Sequence, residues 1–84
     1  MGQIEKLIYR LKSCPKDFSF DEAEKVLLFL GYRRSDKGKT SGSRVMFVSE
    51  HHPDILLHKP HPQKELKLYQ IRQIVSLLEQ EELI

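Results

Sequence analysis

One helix is defined at both ends by the sequence between Ser19 and Gly31. Ser19 can cap the free backbone N–H groups of a helix N-terminus, and Glu22, three residues later, can complete a capping box. Apolar residues then recur at helical spacing as far as Leu30. Gly31 can adopt the left-handed conformation that ends a helix without steric cost. The sequence therefore predicts a helix over residues 20–30.

The flanking segments predict two more helices and a small sheet. Apolar residues at helical spacing predict a first helix before Pro15 and a last helix over residues 67–80. Residues 32–35, 44–48 and 55–58 have strand character, and Pro60 and Pro62 end the last strand because proline cannot donate to a sheet ladder. The predicted fold is α+β, in the order α-α-β-β-β-α, with a three-stranded antiparallel sheet packed on helices.

Length and cysteine content narrow the class of protein. The 84 residues predict a single domain over residues 1–84, with a core over residues 19–82 and an additional helix within residues 1–14. No apolar run approaches the ~20 residues that a membrane-spanning helix needs. The single cysteine, Cys14, excludes an internal disulfide and has no evident activating base. We expect a protein of the reducing cytoplasm without a cofactor.

The net charge of +2 is unevenly distributed. Residues 32–48 contain five basic side chains against Asp36, and residues 58–72 contain four against Glu65. If the two stretches fold together, they form a cationic face that could attract a polyanion. An ordinary solvated surface with uneven charge is the alternative.

Two segments contain residues suited to chemistry on phosphates. Residues 38–44 form a turn of glycines, hydroxyls and cations that could hold a phosphate, although it lacks the upstream glycine of a P-loop; a solvated hairpin is the alternative. His58 and His61 follow a predicted strand, and histidine suits general acid–base catalysis; purely structural roles are the alternative. A metal site built from His51, His52, His58 and His61 is rejected, because no carboxylate or cysteine has the spacing that would complete it.

Five segments follow one another along the chain: the helix that ends in Leu30-Gly31-Tyr32, residues 39–47, His61, residues 64–67 and residues 71–74. In order and spacing, these segments resemble the HicA family of bacterial toxins. The resemblance implies a fold like the double-stranded RNA-binding domain and a metal-independent endoribonuclease that cleaves mRNA. It also implies neutralisation by a HicB-type antitoxin.

The chain departs from the family at one central position. The family motif is Gly-Ser-His, whose histidine is taken as catalytic, whereas this chain has Gly42-Ser43-Arg44. Arginine cannot act as a general base near neutral pH, but it can bind a phosphate and stabilise charge that develops on it. If RNA is cleaved, we expect His61 as the first candidate for proton transfer, His58 as the second, and Arg44 as the electrostatic stabiliser. The predicted RNA-binding residues are Lys37, Lys39, Ser41, Ser43, Lys59, Lys64 and Lys67.

Two other hypotheses stay open at this point. A non-catalytic RNA-binding module of the same fold would need no general base, which agrees with the arginine at position 44. A protein-interaction domain could instead dock a partner on the apolar side of its N-terminal helix. Weak salt dependence of binding would favour the protein-interaction domain.

Overall fold

Three helices and three strands make up the described part of the chain. In the computed structural model, which describes residues 2–35, 44–59 and 64–84, the elements follow the predicted order α-α-β-β-β-α. They are α1 (Gln3–Lys12), α2 (Phe20–Phe29), β1 (Arg33–Arg34), β2 (Arg44–Val48), β3 (Ile55–His58) and α3 (Leu68–Gln80). The strands pair antiparallel in the order β1-β2-β3, which confirms the predicted α+β fold. None of the helices in these ranges is long and apolar enough to cross a membrane.

The ends of α2 form as the sequence predicts. The Glu22 N–H donates to Ser19 Oγ at 3.2 Å, and the Ser19 N–H donates to Glu22 Oε1 at 3.0 Å, which completes the capping box. The helix ends at Phe29 with Leu30 as its C-cap, one residue earlier than predicted. Gly31 follows with φ +98°, in the left-handed region that favours glycine.

An ion pair joins the N-terminus of α2 to α1. Arg10 Nη1 donates to Glu22 Oε2 at 2.6 Å, and Arg10 Nη2 donates to Asp17 Oδ1 at 2.9 Å. Partial burial by itself raises the pKa of Glu22. The hydrogen bond from the Ser19 N–H and the charge of Arg10 outweigh that effect, so the pKa of Glu22 lies below its ordinary value.

We expect Glu22→Gln to lower the free energy of unfolding by roughly 0.5–1 kcal/mol at pH 7, because the ion pair is lost while the amide can still cap. The folded-state pKa of Glu22 is depressed. The contribution of Glu22 to the free energy of unfolding is therefore fully present when the pH is above the ordinary glutamate pKa of ~4.3. It is lost as the pH falls through the folded-state value. Urea unfolding of wild type and Glu22→Gln should therefore converge in acid. A difference that stays constant with pH would contradict this assignment.

The helices cover one face of the sheet. Phe47, Ile55 and Leu57 are buried against them, together with Val26 of α2. Because strand residues alternate between faces, the neighbouring positions turn away from the helices, and Leu56 is 42% exposed. This second face, called the open face below, carries Arg44, Met46, Val48, Leu56 and His58.

Helix α1 packs on its own domain. Leu11 is fully buried in the core, and Leu7 and Ile8 pack against it. The predicted N-terminal helix therefore covers one side of the core. The apolar stripe is used within the chain, which removes the basis for the hypothesis that it docks a partner protein.

Candidate functional site

The sheet brings Arg44 and His58 directly opposite each other. Arg44 is the first residue of β2, His58 is the last residue of β3, and the two are partners in the antiparallel register. The backbone N–H of His58 donates to the Gln70 side chain, so it points away from β2. The pair is therefore of the non-hydrogen-bonded type, in which the Cα atoms are about 4.5 Å apart and the side chains are closest. Arg44 and His58 are thus direct cross-strand neighbours on the open face.

Gln70 connects this pair to helix α3. Its side chain is buried, with 4% exposed, and its Oε1 accepts the hydrogen bond from the His58 N–H at 2.9 Å. The contact fixes the end of β3 against the first turn of α3. The sequence analysis missed Gln70. The available signal was a glutamine four residues before Ile74, on the side of the helix that bears its apolar residues.

Two basic side chains lie beside the ring of Phe20, on the side of the sheet that the helices cover. Lys59 Nζ and the guanidinium carbon of Arg34 each lie 5.8 Å from the centre of the Phe20 ring. Arg34 Nε also contacts Glu24 Oε2 at 2.6 Å. The backbone carbonyl of Lys64 accepts a hydrogen bond from the Phe20 N–H at 3.1 Å. Arg34 was not among the predicted RNA-binding residues.

Strand alternation therefore places the predicted site residues on different sides of the sheet. His58 belongs to the open face, whereas its neighbour Lys59 reaches the covered side. Lys67 is the exposed N-cap residue of α3. The remaining predicted site residues lie outside the described residues: Lys37, Lys39, Ser41, Ser43 and His61.

Residues 20–83 match the family model described as the HicA toxin of bacterial toxin–antitoxin systems. The chain belongs to the HicA toxin family. This confirms the resemblance found in the sequence and identifies the chain as a toxin-family member of a toxin–antitoxin system. Comparison with curated proteins and with solved structures gives no match. The matched region of this HicA-family toxin begins at α2 and includes the whole sheet and α3, so that α1 precedes it.

The remaining histidines of the described part lie at the other end of the sheet of this HicA-family toxin. His52 Nδ1 is 2.7 Å from Glu81 Oε1, and the His52 ring lies 6.4 Å from the Tyr32 ring. The contact with Glu81 joins the turn between β2 and β3 to the C-cap of α3, and the contact with Tyr32 joins it to the segment before β1. Within residues 2–35, 44–59 and 64–84, no three or more His, Cys, Asp or Glu side chains cluster in a way that could hold a metal ion. Metal independence stays a prediction.

Proposed function

We propose that this HicA-family toxin is an endoribonuclease that binds and cleaves mRNA without a metal ion. The observation that supports this most is the placement of Arg44 opposite His58 on the open face. A cation that can bind a phosphate thus lies beside a side chain that can transfer a proton. Family membership supplies the cellular role of a toxin.

Metal-free cleavage of RNA requires two proton transfers and stabilisation of one charge. A base removes the proton of the 2′-hydroxyl, whose oxygen attacks the adjacent phosphorus, and an acid protonates the departing 5′-oxygen. Negative charge grows on the phosphate oxygens in the transition state. Arg44 would stabilise that charge, because a guanidinium can donate two parallel hydrogen bonds to a phosphate.

The two candidates for proton transfer are His61 and His58. His58 has the advantage of a position fixed beside Arg44 and held through Gln70. His61 follows three residues after it in the sequence. An acid and a base at one phosphate would use both of them.

Basic residues on both sides of the sheet would hold the RNA backbone. Lys67 is exposed at the start of α3, Lys64 is exposed, and Lys59 lies beside the Phe20 ring. Lys37 and Lys39 belong to the segment that leads into Arg44 and complete the proposed set. Each lysine or arginine that neutralises a phosphate adds about one released counterion to the salt dependence of binding.

A HicB-type antitoxin is the proposed inhibitor. A partner that covers the open face would block Arg44 and His58, and acidic side chains would complement the cations there. Met46 and Leu56, which face each other between β2 and β3, offer apolar contacts on the same face.

The second candidate function is a non-catalytic RNA-binding module. It is favoured by one observation, namely that arginine occupies the position of the family's catalytic histidine. The two functions differ in what Arg44→His does. For a module that has lost cleavage, this substitution would create cleavage that the wild type lacks; for the proposed enzyme, it would remove the stabilising guanidinium and lower the rate.

Induced expression in a bacterial host tests the proposal. We expect the wild type to arrest growth while cellular mRNA becomes fragmented, and co-expression of a HicB-type antitoxin to restore both growth and mRNA integrity. Normal growth with intact mRNA, in cells that contain soluble wild-type protein, would contradict the proposal and favour the binding module.

A further inference from the structure

A groove of about 460 Å³ lies between the outer edge of β3 and helix α3. Its volume is within the roughly 300–1,000 Å³ typical of sites for small organic groups. Its strand side is formed by residues 54–58, and its helix side by Tyr69, Gln70, Gln73, Ile74 and Leu77. Because His58 belongs to the lining, the groove adjoins the pair that His58 forms with Arg44.

The lining combines an aromatic ring, polar groups and an apolar floor. Tyr69 is 54% exposed, so a ligand in the groove can reach its ring. Gln73 and Asp54 are exposed and contribute an amide and a carboxylate. Leu56 and Leu77 provide apolar surface.

Side chains of these types bind unstacked nucleobases in proteins. Aromatic side chains stack on a base, and amide or carboxylate groups bond to the base edges that single-stranded RNA exposes. Nearby cations favour a nucleic acid over an apolar peptide, because Arg44 is the cross-strand partner of His58 in the lining and the exposed Lys67 is the N-cap of α3, two residues before Tyr69. A phosphate held at Arg44 would leave the attached nucleotide next to the groove.

We infer that the groove binds one base of single-stranded RNA, adjacent to the phosphate that is cleaved. Tyr69 stacks on the base, and Gln73 donates to and accepts from its edge. The inference rests on the proposed function, because it deepens the account of the substrate. It also makes the substrate single-stranded at this point, since a base paired within a duplex cannot enter a groove of this kind.

The test measures binding separately from cleavage. The probe is a set of short 2′-O-methyl RNA oligonucleotides of mixed sequence, which keep the bases but lack the attacking hydroxyl. We expect Tyr69→Ala to weaken their binding by about 5- to 150-fold, the usual effect of removing one stacking ring. Tyr69→Phe, which keeps the ring, should bind within about twofold of the wild type. Tyr9→Ala is the matched control, because Tyr9 is 79% exposed on α1 and does not line the groove.

Base preference provides the second readout. Gln73→Ala should change which base gives the tightest binding among oligonucleotides that differ at one position, because Gln73 contacts the base edge. Equal affinities of Tyr69→Ala and Tyr9→Ala would overturn the inference. The inference would also be overturned if Tyr69→Ala and Gln73→Ala bound the oligonucleotides as the wild type does but bound an apolar peptide more weakly than the wild type. Tyr69-dependent binding without cleavage of natural RNA would leave the base site intact and refute the proposed nuclease alone.

Discussion

Replacing a histidine of the site by alanine is expected to give the largest loss of activity. General acid–base groups contribute about 10²- to 10⁴-fold to a rate, so His61→Ala and His58→Ala should each lower the rate of RNA cleavage by a factor in this range. Because both residues act on one reaction, the double variant should lose less than the product of the two single effects. The measurement is the single-turnover cleavage rate of a defined RNA.

A histidine in the turn at the other end of the sheet offers a matched control. His51 is exposed and lies in the turn between β2 and β3, away from Arg44. His51→Ala should therefore cleave at the wild-type rate. If only one of the two site variants loses activity, that histidine performs the rate-limiting proton transfer. If both retain full activity, the assignment of proton transfer to His58 and His61 is wrong.

Arg44→Ala is expected to lower the cleavage rate by about 10²- to 10³-fold, the usual effect of removing one preorganised donor to developing charge. Arg44→Lys keeps the charge but loses the two-pronged geometry, so its rate should lie between those of the wild type and Arg44→Ala. RNA affinity should fall much less than the rate, because other cations still hold the backbone. Single-turnover rates and binding curves on the same RNA separate the two effects.

A contrary pattern for Arg44 would be equally informative. If Arg44→Ala weakens RNA binding and leaves the rate of bound RNA unchanged, then Arg44 only anchors the backbone. If Arg44→His cleaves RNA that the wild type leaves intact, then the chain is a binding module that has lost the histidine of its family.

The elements of the fold were predictable because their signals are local. The Ser19–Glu22 capping box and Gly31 fixed the ends of α2 to within one residue. Residues 44–48 form the strand that their composition predicts, and simple alternation along it places Val45 and Phe47 on one face and Arg44 on the other. Signals of this kind depend on neighbours within one turn or one strand, so a single sequence contains them.

The site was predictable only in part, because it depends on register and on contacts between distant segments. The sequence indicated Arg44 and His58 as separate candidates, but only the pairing of β2 with β3 brings them together. The role of Gln70 depends on how α3 packs along β3. The same packing gives Tyr69 its place in the groove, whereas the three tyrosines appear scattered in the sequence.

The most direct test of the account is cleavage of RNA by the purified protein in excess EDTA. We expect the wild type to cut mRNA and to leave a 2′,3′-cyclic phosphate on one fragment and a 5′-hydroxyl on the other, the ends that attack by the 2′-hydroxyl produces. Arg44→Ala, assayed at equal concentration and shown to be folded, should leave the RNA almost intact. Intact RNA with the wild type, together with tight and salt-dependent binding, would contradict the account and identify an RNA-binding module instead.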